Sequence, residues 1–162
     1  MEAATLNTVQ VDGLTIGYRQ LGEGSPVLLL HGWPTSSYLW RDVMPEGFEG
    51  LDELIDSFAA PFDTPEARRA LADAGVGLDL EGFAEIEQRL PQLSIPVRIV
   101  YGEEDRALPD VAATMARVKG DLPQAEVTAL PGRGHFIQEE VPDQVGELLA
   151  DFFAAGDATA AP

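Results

Sequence analysis

One stretch of the chain, residues 27–40, constrains its fold more than any other. An apolar run of strand length, residues 27–30, stops at His31 and Gly32, and the chain then turns at Trp33 and enters a cluster of serine and threonine residues. This order predicts a strand, a sharp loop and a helix. Because the apolar run does not alternate with polar residues, we expect a central strand of the parallel type. Such a loop presents backbone N–H groups at the mouth of a sheet, where α/β folds bind ligands.

A β-hairpin is predicted before this stretch, over residues 8–20. The dipeptide Asp12-Gly13 interrupts an alternating pattern of apolar and polar residues, and this dipeptide favours a tight two-residue turn between two antiparallel strands. The apolar residues that would share one face of the hairpin are Val9, Val11, Leu14, Ile16 and Tyr18.

A helical, acidic segment follows over residues 46–90, which contain twelve acidic and three basic side chains. Its apolar residues recur at helical spacing, and the acidic excess is typical of solvated helix faces. Thr64 is the predicted N-cap of one helix, which we expect to end at Ala74 because Gly75 follows. A further helix is predicted over about residues 80–90.

Two more strands are predicted over residues 96–101 and 126–130, each followed by a loop and a helix. The last helix is expected to end near Phe153, before an alanine-rich, frayed tail. The alternation of strands and helices favours an α/β layered fold over other classes.

Three loops at the predicted strand ends carry the residues of chemical interest. His31 follows the first strand, Asp105 the second and His135 the third. In a parallel sheet the carboxyl ends of the strands face one edge, so these groups can converge although they are distant in sequence. An aspartate that accepts a hydrogen bond from histidine orients the imidazole as a base, while a backbone N–H at Trp33 would stabilise an oxyanion.

Structural roles compete with these chemical ones. Glu103 and Glu104 are neighbours that would serve in place of Asp105, and the His31 side chain would serve to hold its own loop. Two histidines and a carboxylate also match the donor set of a non-haem iron site. Neither histidine has the helical spacing of metal ligands, so we expect no metal and no cofactor.

Residues 31–40, 101–109 and 132–142 resemble three signature regions of α/β-hydrolase-fold enzymes, in the branch of the epoxide hydrolases and haloalkane dehalogenases. The resemblance implies that His135 is the catalytic base and Asp105 the acid that orients it. It also implies that His31, Gly32 and Trp33 line an oxyanion or halide-binding wall.

The resemblance carries expectations about the substrate. An asparagine usually stands at the position of Trp33 in the dehalogenases that look most like this loop, so the epoxide-hydrolase-like form fits better. Tyr38, Trp40 and Phe136 would then line a pocket for a small apolar organic substrate. Trp33, Tyr38 and Trp40 fit a role in the core or the pocket wall as well as they fit direct contact with the substrate.

One part of the family pattern is missing from this sequence. The family carries a serine or aspartate nucleophile on a strand-to-helix elbow with small residues two positions to either side, and no such elbow stands between the oxyanion loop and the cap. The resemblance therefore implies an internal deletion and a shortened sheet, with the antiparallel hairpin at one edge and the parallel strands after it. The expected parts are an N-terminal core (1–45), a remnant helical cap (46–92), a C-terminal core (93–153) and the tail (154–162).

Two functions fit this pattern. The first is a hydrolase that uses a His135–Asp105 dyad as general base without a covalent intermediate. The second is an inactive family member that binds a small ligand or dimerises. In the shortened sheet, residues 27–30 must pair with the hairpin and with residues 97–101, or a second copy must cover the exposed strand edges.

Charge and composition exclude other classes of partner. The formal net charge is −18, from 28 acidic and 10 basic residues, so nucleic acid and anionic membrane surfaces are not expected partners. There is no cysteine, which excludes a disulfide framework and a thiolate nucleophile. The N-terminal residues lack the pattern of a signal peptide, and we expect a cytoplasmic protein.

Overall fold

The computed structural model describes residues 6–23, 26–32, 34–43, 62–77 and 81–160. The chain divides into two compact units, Met1–Gly77 and Leu78–Pro162. Among the described residues, the strands form two separate two-stranded sheets, one in each unit. No described helix is both long enough and apolar enough to cross a membrane.

The predicted hairpin is confirmed in the first unit. Strands β1 (Asn7–Val11) and β2 (Leu14–Tyr18) pair antiparallel, with Val9 opposite Ile16. Asp12 has φ of 51° and Gly13 has φ of 81°, which are the left-handed conformations that a tight hairpin turn of this twist needs. The apolar residues share one face as expected, but each of them remains more than 40% exposed.

The central strand predicted over residues 27–30 is wrong for this structure. Residues 26–30 form no strand, and Leu28 is 80% exposed. An apolar run becomes a strand only when neighbouring strands satisfy its backbone N–H and C=O groups, and β2 pairs only with β1 among the described strands. The helix predicted after the loop is a single 3-10 turn, Ser37–Trp40, which the Ser36 side chain caps by accepting from the Tyr38 N–H.

Helix α1 (Pro65–Val76) begins where the sequence predicts. The Thr64 hydroxyl oxygen accepts from the Ala67 N–H at 3.1 Å, the expected N-cap bond. The helix does not end at Ala74 but continues through Gly75 to Val76. A glycine inside a helix costs only about 1 kcal/mol relative to alanine, so it ends a helix only where the chain turns away.

The second unit contains the larger share of the described structure. Its elements are α2 (Glu81–Arg89), β3 (Arg98–Gly102), α3 (Val111–Asp121), β4 (Glu126–Leu130), α4 (Ile137–Glu140) and α5 (Pro142–Ala160). Its buried apolar residues are Val111, Leu122, Ala125, Leu130, Ile137 and Val145. Burial of side chains such as Leu122 and Leu130, each 2% exposed, contributes about 1.5–3 kcal/mol apiece.

The predicted end of the last helix near Phe153 is also wrong, because helix α5 extends to Ala160, and the last two residues of the expected tail lie outside the described residues. The alanines of this segment explain the difference. Alanine is the strongest helix former, so residues that read as a low-complexity tail prolong a helix that is already nucleated.

Strands β3 and β4 pair in parallel, with Arg98 opposite Glu126 and Gly102 opposite Leu130. The Arg98 guanidinium supports this register by donating to the Glu126 carboxylate at 2.6 Å and to the Thr128 hydroxyl at 2.8 Å. The loops after Gly102 and Leu130 therefore leave the sheet side by side at the same edge.

Candidate active site

Asp105 lies three residues beyond the end of β3, in a turn that its own side chain organises. Its Oδ1 atom accepts two hydrogen bonds, from the Ala107 N–H and the Leu108 N–H, each at 2.8 Å. Aspartate commonly closes such turns on the backbone that follows it. This arrangement holds the carboxylate rigidly and leaves Oδ2 available to a second loop.

That second loop follows β4 and carries His135. The Nδ1 atom of His135 lies 2.8 Å from Asp105 Oδ2. An ionised carboxylate only accepts hydrogen bonds, so Nδ1 carries the hydrogen and, in the neutral ring, Nε2 keeps its lone pair. The Asp105 side chain is 5% exposed and that of His135 is 39% exposed, so a buried acid orients a ring that solvent reaches.

The structure thus brings together Asp105 and His135, which the sequence placed thirty residues apart, and neither Glu103 nor Glu104 takes the place of Asp105. The neighbouring glutamates use their backbones instead: the Glu103 N–H donates to Leu130 O, and the Glu104 N–H donates to Arg133 O. Both glutamates are exposed to solvent.

The pKa of the Asp105 carboxyl lies below its ordinary value. Burial opposes ionisation and would by itself raise this pKa. The hydrogen bond from His135, the charge of that ring and the N–H groups of Leu108 and Ala107 outweigh the effect of burial. Asp105 is therefore ionised across the neutral range, as a residue that orients a histidine must be.

This lowered pKa has a consequence for stability. The ionised carboxylate stabilises the folded state above the unfolded-state pKa of about 3.9, and the stabilisation is lost as the pH falls through the lower folded-state pKa. We expect wild type to be more stable than Asp105→Asn at pH 6 and the difference to shrink progressively below about pH 4. Urea unfolding of both proteins at several pH values between about pH 6 and about pH 3 measures the difference in their free energies of unfolding. A difference that does not change with pH would contradict this prediction.

Phe136 lies directly beside the pair. Its ring meets the His135 ring edge to face, with centroids 4.9 Å apart, and Phe136 remains 41% exposed. Phe136 thus offers apolar surface next to the imidazole, and its predicted role in a pocket stays a prediction.

The other predicted site residues lie in the first unit. The Gly32 carbonyl oxygen accepts from the Thr35 hydroxyl at 2.6 Å and lies 3.1 Å from Nδ1 of His31, so the His31 ring contacts its own loop. Trp33 lies outside the described residues. The oxyanion role of this loop stays a prediction.

Tyr38 and Trp40 lie on the 3-10 turn of the first unit. Tyr38 is 5% exposed, and the Arg41 guanidinium lies 4.6 Å from the centroid of its ring. Trp40 is half-buried. Tyr38 is therefore buried within this unit, and its predicted role in a substrate pocket stays a prediction.

A small cavity of about 190 Å³ opens in the second unit, beside the turn that Asp105 closes. Its lining is mostly apolar and consists of Leu108, Pro109, Asp110, Val111, Thr114 and Met115. Pockets for drug-sized ligands measure about 300–1,000 Å³, so this cavity suits only a small molecule. Within the described ranges, no group of three or more histidine or carboxylate side chains is placed to hold a metal ion.

Sequence reasoning missed two residues next to the pair, Gly102 and Glu140. A side chain at Gly102 would collide with the backbone of the His135 loop, and the Glu140 carboxylate accepts from the Gly134 N–H. The sequence features that could have indicated them are a glycine at the end of a predicted strand and a carboxylate shortly after the histidine.

Comparison with curated proteins finds hydrolases. The chain is 33% identical to an uncharacterized hydrolase, YugF, of Bacillus subtilis over 101 residues, which is 62% of this chain and 35% of the relative. It is 47% identical over 47 residues to a haloalkane dehalogenase of Sphingobium indicum, which is 29% of this chain and 16% of the relative. It is 44% identical over 41 residues to a soluble epoxide hydrolase of a Corynebacterium species, which is 25% of this chain and 14% of the relative.

The matched segments thus span about a third or less of the length of these curated relatives. No protein-family model matches the chain. No solved structure matches it. The partial similarities support a relation to hydrolases of the α/β-hydrolase superfamily.

Proposed function

We propose that this protein is a hydrolase of the α/β-hydrolase superfamily in which His135 acts as a general base oriented by Asp105. The observation that carries the proposal is the 2.8 Å contact between His135 Nδ1 and Asp105 Oδ2. The partial similarity to several hydrolases supports the same class of reaction. We further propose, from the absence of a nucleophile elbow in the sequence, that the chain is an internally shortened member working without a covalent intermediate.

In the proposed reaction His135 first accepts a proton from water and later donates it to the leaving oxygen. Nε2 of His135 takes a proton from water while the water oxygen forms a bond to the electrophilic carbon of the substrate. Asp105 stabilises the imidazolium that results. The carbon–oxygen bond to the leaving oxygen breaks, and the imidazolium returns its proton to that oxygen. An epoxide would yield a diol, and an ester would yield an acid and an alcohol. A haloalkane would yield an alcohol and a halide ion, and the imidazolium would then give its proton to solvent.

The proposed substrates are small and apolar. Phe136 beside the imidazole and the mostly apolar cavity of about 190 Å³ next to the Asp105 turn support this class. The epoxide hydrolase and the haloalkane dehalogenase among the relatives indicate which compounds to assay first, namely epoxides, haloalkanes and aryl esters.

The test is a panel of these three substrate classes with wild type and Asp105→Asn. Asparagine keeps the acceptor for the Ala107 and Leu108 N–H groups but presents an NH₂ to His135 Nδ1, which moves the ring hydrogen to Nε2 and removes the base. We expect wild type to exceed the buffer rate with at least one class, and the variant to be slower by about 10²-fold or more.

Equal rates for the two proteins would contradict a dyad mechanism. A second candidate function, a dimerising protein without activity, is favoured by the exposed apolar face of the hairpin. Absence of turnover across the panel, together with a dimer in sedimentation, would support this second function.

A further inference from the structure

The peptide unit between Arg133 and Gly134, directly before His135, is held from two sides. Its carbonyl oxygen, on Arg133, accepts from the Glu104 N–H at 2.8 Å. Its N–H, on Gly134, donates to both carboxylate oxygens of Glu140, at 2.9 and 3.0 Å. Hydrogen bonds to a charged acceptor are stronger than those between neutral groups. One rigid plane is therefore bonded through both of its polar groups.

A third contact sets the distance between this peptide unit and Gly102 at the end of β3. A Cβ atom added at Gly102 would collide with the carbonyl oxygens of Arg133 and Gly134 and with the Arg133 carbonyl carbon. The peptide thus lies against the end of β3 at a distance that only glycine permits. We call Gly102, Glu104 and Glu140, together with the peptide they hold, the peptide clamp.

The position of the clamp relates it to the dyad. Glu104 directly precedes Asp105, and Gly134 directly precedes His135. The bond between Glu104 N and Arg133 O therefore joins the two loops one residue away from the two side chains that meet at 2.8 Å. Any shift of the clamped peptide moves the His135 backbone relative to Asp105.

We propose that Glu140 is a positioning residue for the His135–Asp105 dyad, acting through its hydrogen bonds to the Gly134 N–H. The inference rests on the proposed general-base function. Both carboxylate oxygens of Glu140 bond to the Gly134 N–H and not to the imidazole. Glu140 holds the backbone that carries the imidazole. Glu104 bonds to the peptide through its backbone, whereas Glu140 bonds through its side chain, which a substitution can change.

Two conservative variants separate the hydrogen bond from the charge. Glu140→Gln removes the charge but keeps an oxygen at the same reach to accept from Gly134. Glu140→Asp keeps the charge but shortens the side chain by one carbon–carbon bond, about 1.5 Å. We expect kcat to stay within about 3-fold of wild type in Glu140→Gln and to fall about 10-fold in Glu140→Asp. KM should change little in both variants, since small misplacements of reacting groups reduce the rate of the chemical step.

A second readout does not depend on turnover. The proton on Nδ1 of His135 should resonate far downfield in the NMR spectrum while it is bonded to Asp105, and its loss in His135→Gln assigns it. We expect this signal to persist in Glu140→Gln and to broaden or disappear in Glu140→Asp. Glu147→Gln, an exposed glutamate of α5, is the matched control and should leave the signal and kcat at wild-type values.

An equal signal in wild type and Glu140→Asp would overturn the positioning role. A greater loss of signal in Glu140→Gln than in Glu140→Asp would also overturn it, because the effect would then depend on charge. Circular dichroism of each variant establishes that it is folded. If no substrate is turned over, the proposed function fails, but the resonance still decides whether Glu140 positions the histidine.

Discussion

Replacement of His135 by glutamine is expected to reduce the hydrolysis rate to that of buffer. Glutamine is close in size to histidine and can hydrogen-bond to Asp105, but it cannot accept a proton from water. General-base catalysis typically contributes about 10²–10⁴-fold, so the loss should be at least about 10²-fold on the best substrate of the panel. The rate with saturating substrate and the ratio kcat/KM should fall together, because the lost interaction forms only as the reaction proceeds.

A variant with a smaller side chain separates chemistry from folding. His135→Ala leaves room for free imidazole, and added imidazole should restore part of the rate in proportion to its concentration. Glu147→Gln should keep the wild-type rate, since this glutamate is exposed on α5. Retention of the wild-type rate in His135→Gln would refute the proposed base.

Replacement of Gly102 by alanine is expected to have the largest effect on stability. The added methyl group would collide with backbone atoms of Arg133 and Gly134, and backbone cannot rotate away as a flexible side chain can. Overpacking of this kind costs about 1–3 kcal/mol in the free energy of unfolding, and we expect the upper part of that range. Relief of the collision would lift the His135 loop, so the downfield Nδ1 signal should weaken in the protein that remains folded.

Gly120→Ala is the matched control for this substitution. Gly120 lies in helix α3, and a Cβ atom placed on it meets nothing within 4 Å. This variant should be as stable as wild type or more stable by about 0.4–1 kcal/mol.

Urea unfolding followed by circular dichroism compares the three proteins. A Gly102→Ala variant as stable as Gly120→Ala would show that the loop yields to the methyl group at little cost.

Local sequence patterns predicted local structure well. The turn at Asp12-Gly13 needs left-handed backbone at two successive residues, which these residue types tolerate, and the hairpin forms there. Strand β4 occupies the residues predicted for it, 126–130. The N-cap at Thr64 is likewise a contact between near neighbours in the chain. Each of these elements depends on interactions that a short stretch contains within itself.

The prediction failed where an element needs partners from elsewhere in the chain. Residues 27–30 are as apolar as any strand in this protein, yet they form none, because a central strand is made by the strands on either side of it. At the alanine-rich end of the chain the error was the opposite one, because the structure has a helix where none was predicted. Composition predicted a frayed tail after Phe153, and continuation of an existing helix to Ala160 overrode that expectation.

The sequence by itself determined which residue types are present for chemistry: a histidine and a group of carboxylates at the ends of two strands. Only the tertiary structure decided which carboxylate faces the histidine. The parallel register places Gly102 opposite Leu130, so the two loops leave the sheet at the same edge. The turn closed on Ala107 and Leu108 directs Asp105 toward His135. Glu104 contributes its backbone N–H and Glu140 its carboxylate to the peptide clamp. The physical reason is that a hydrogen bond near 2.8 Å depends on the relative placement of two backbones, and strand register and loop packing decide that placement while residue identity alone does not.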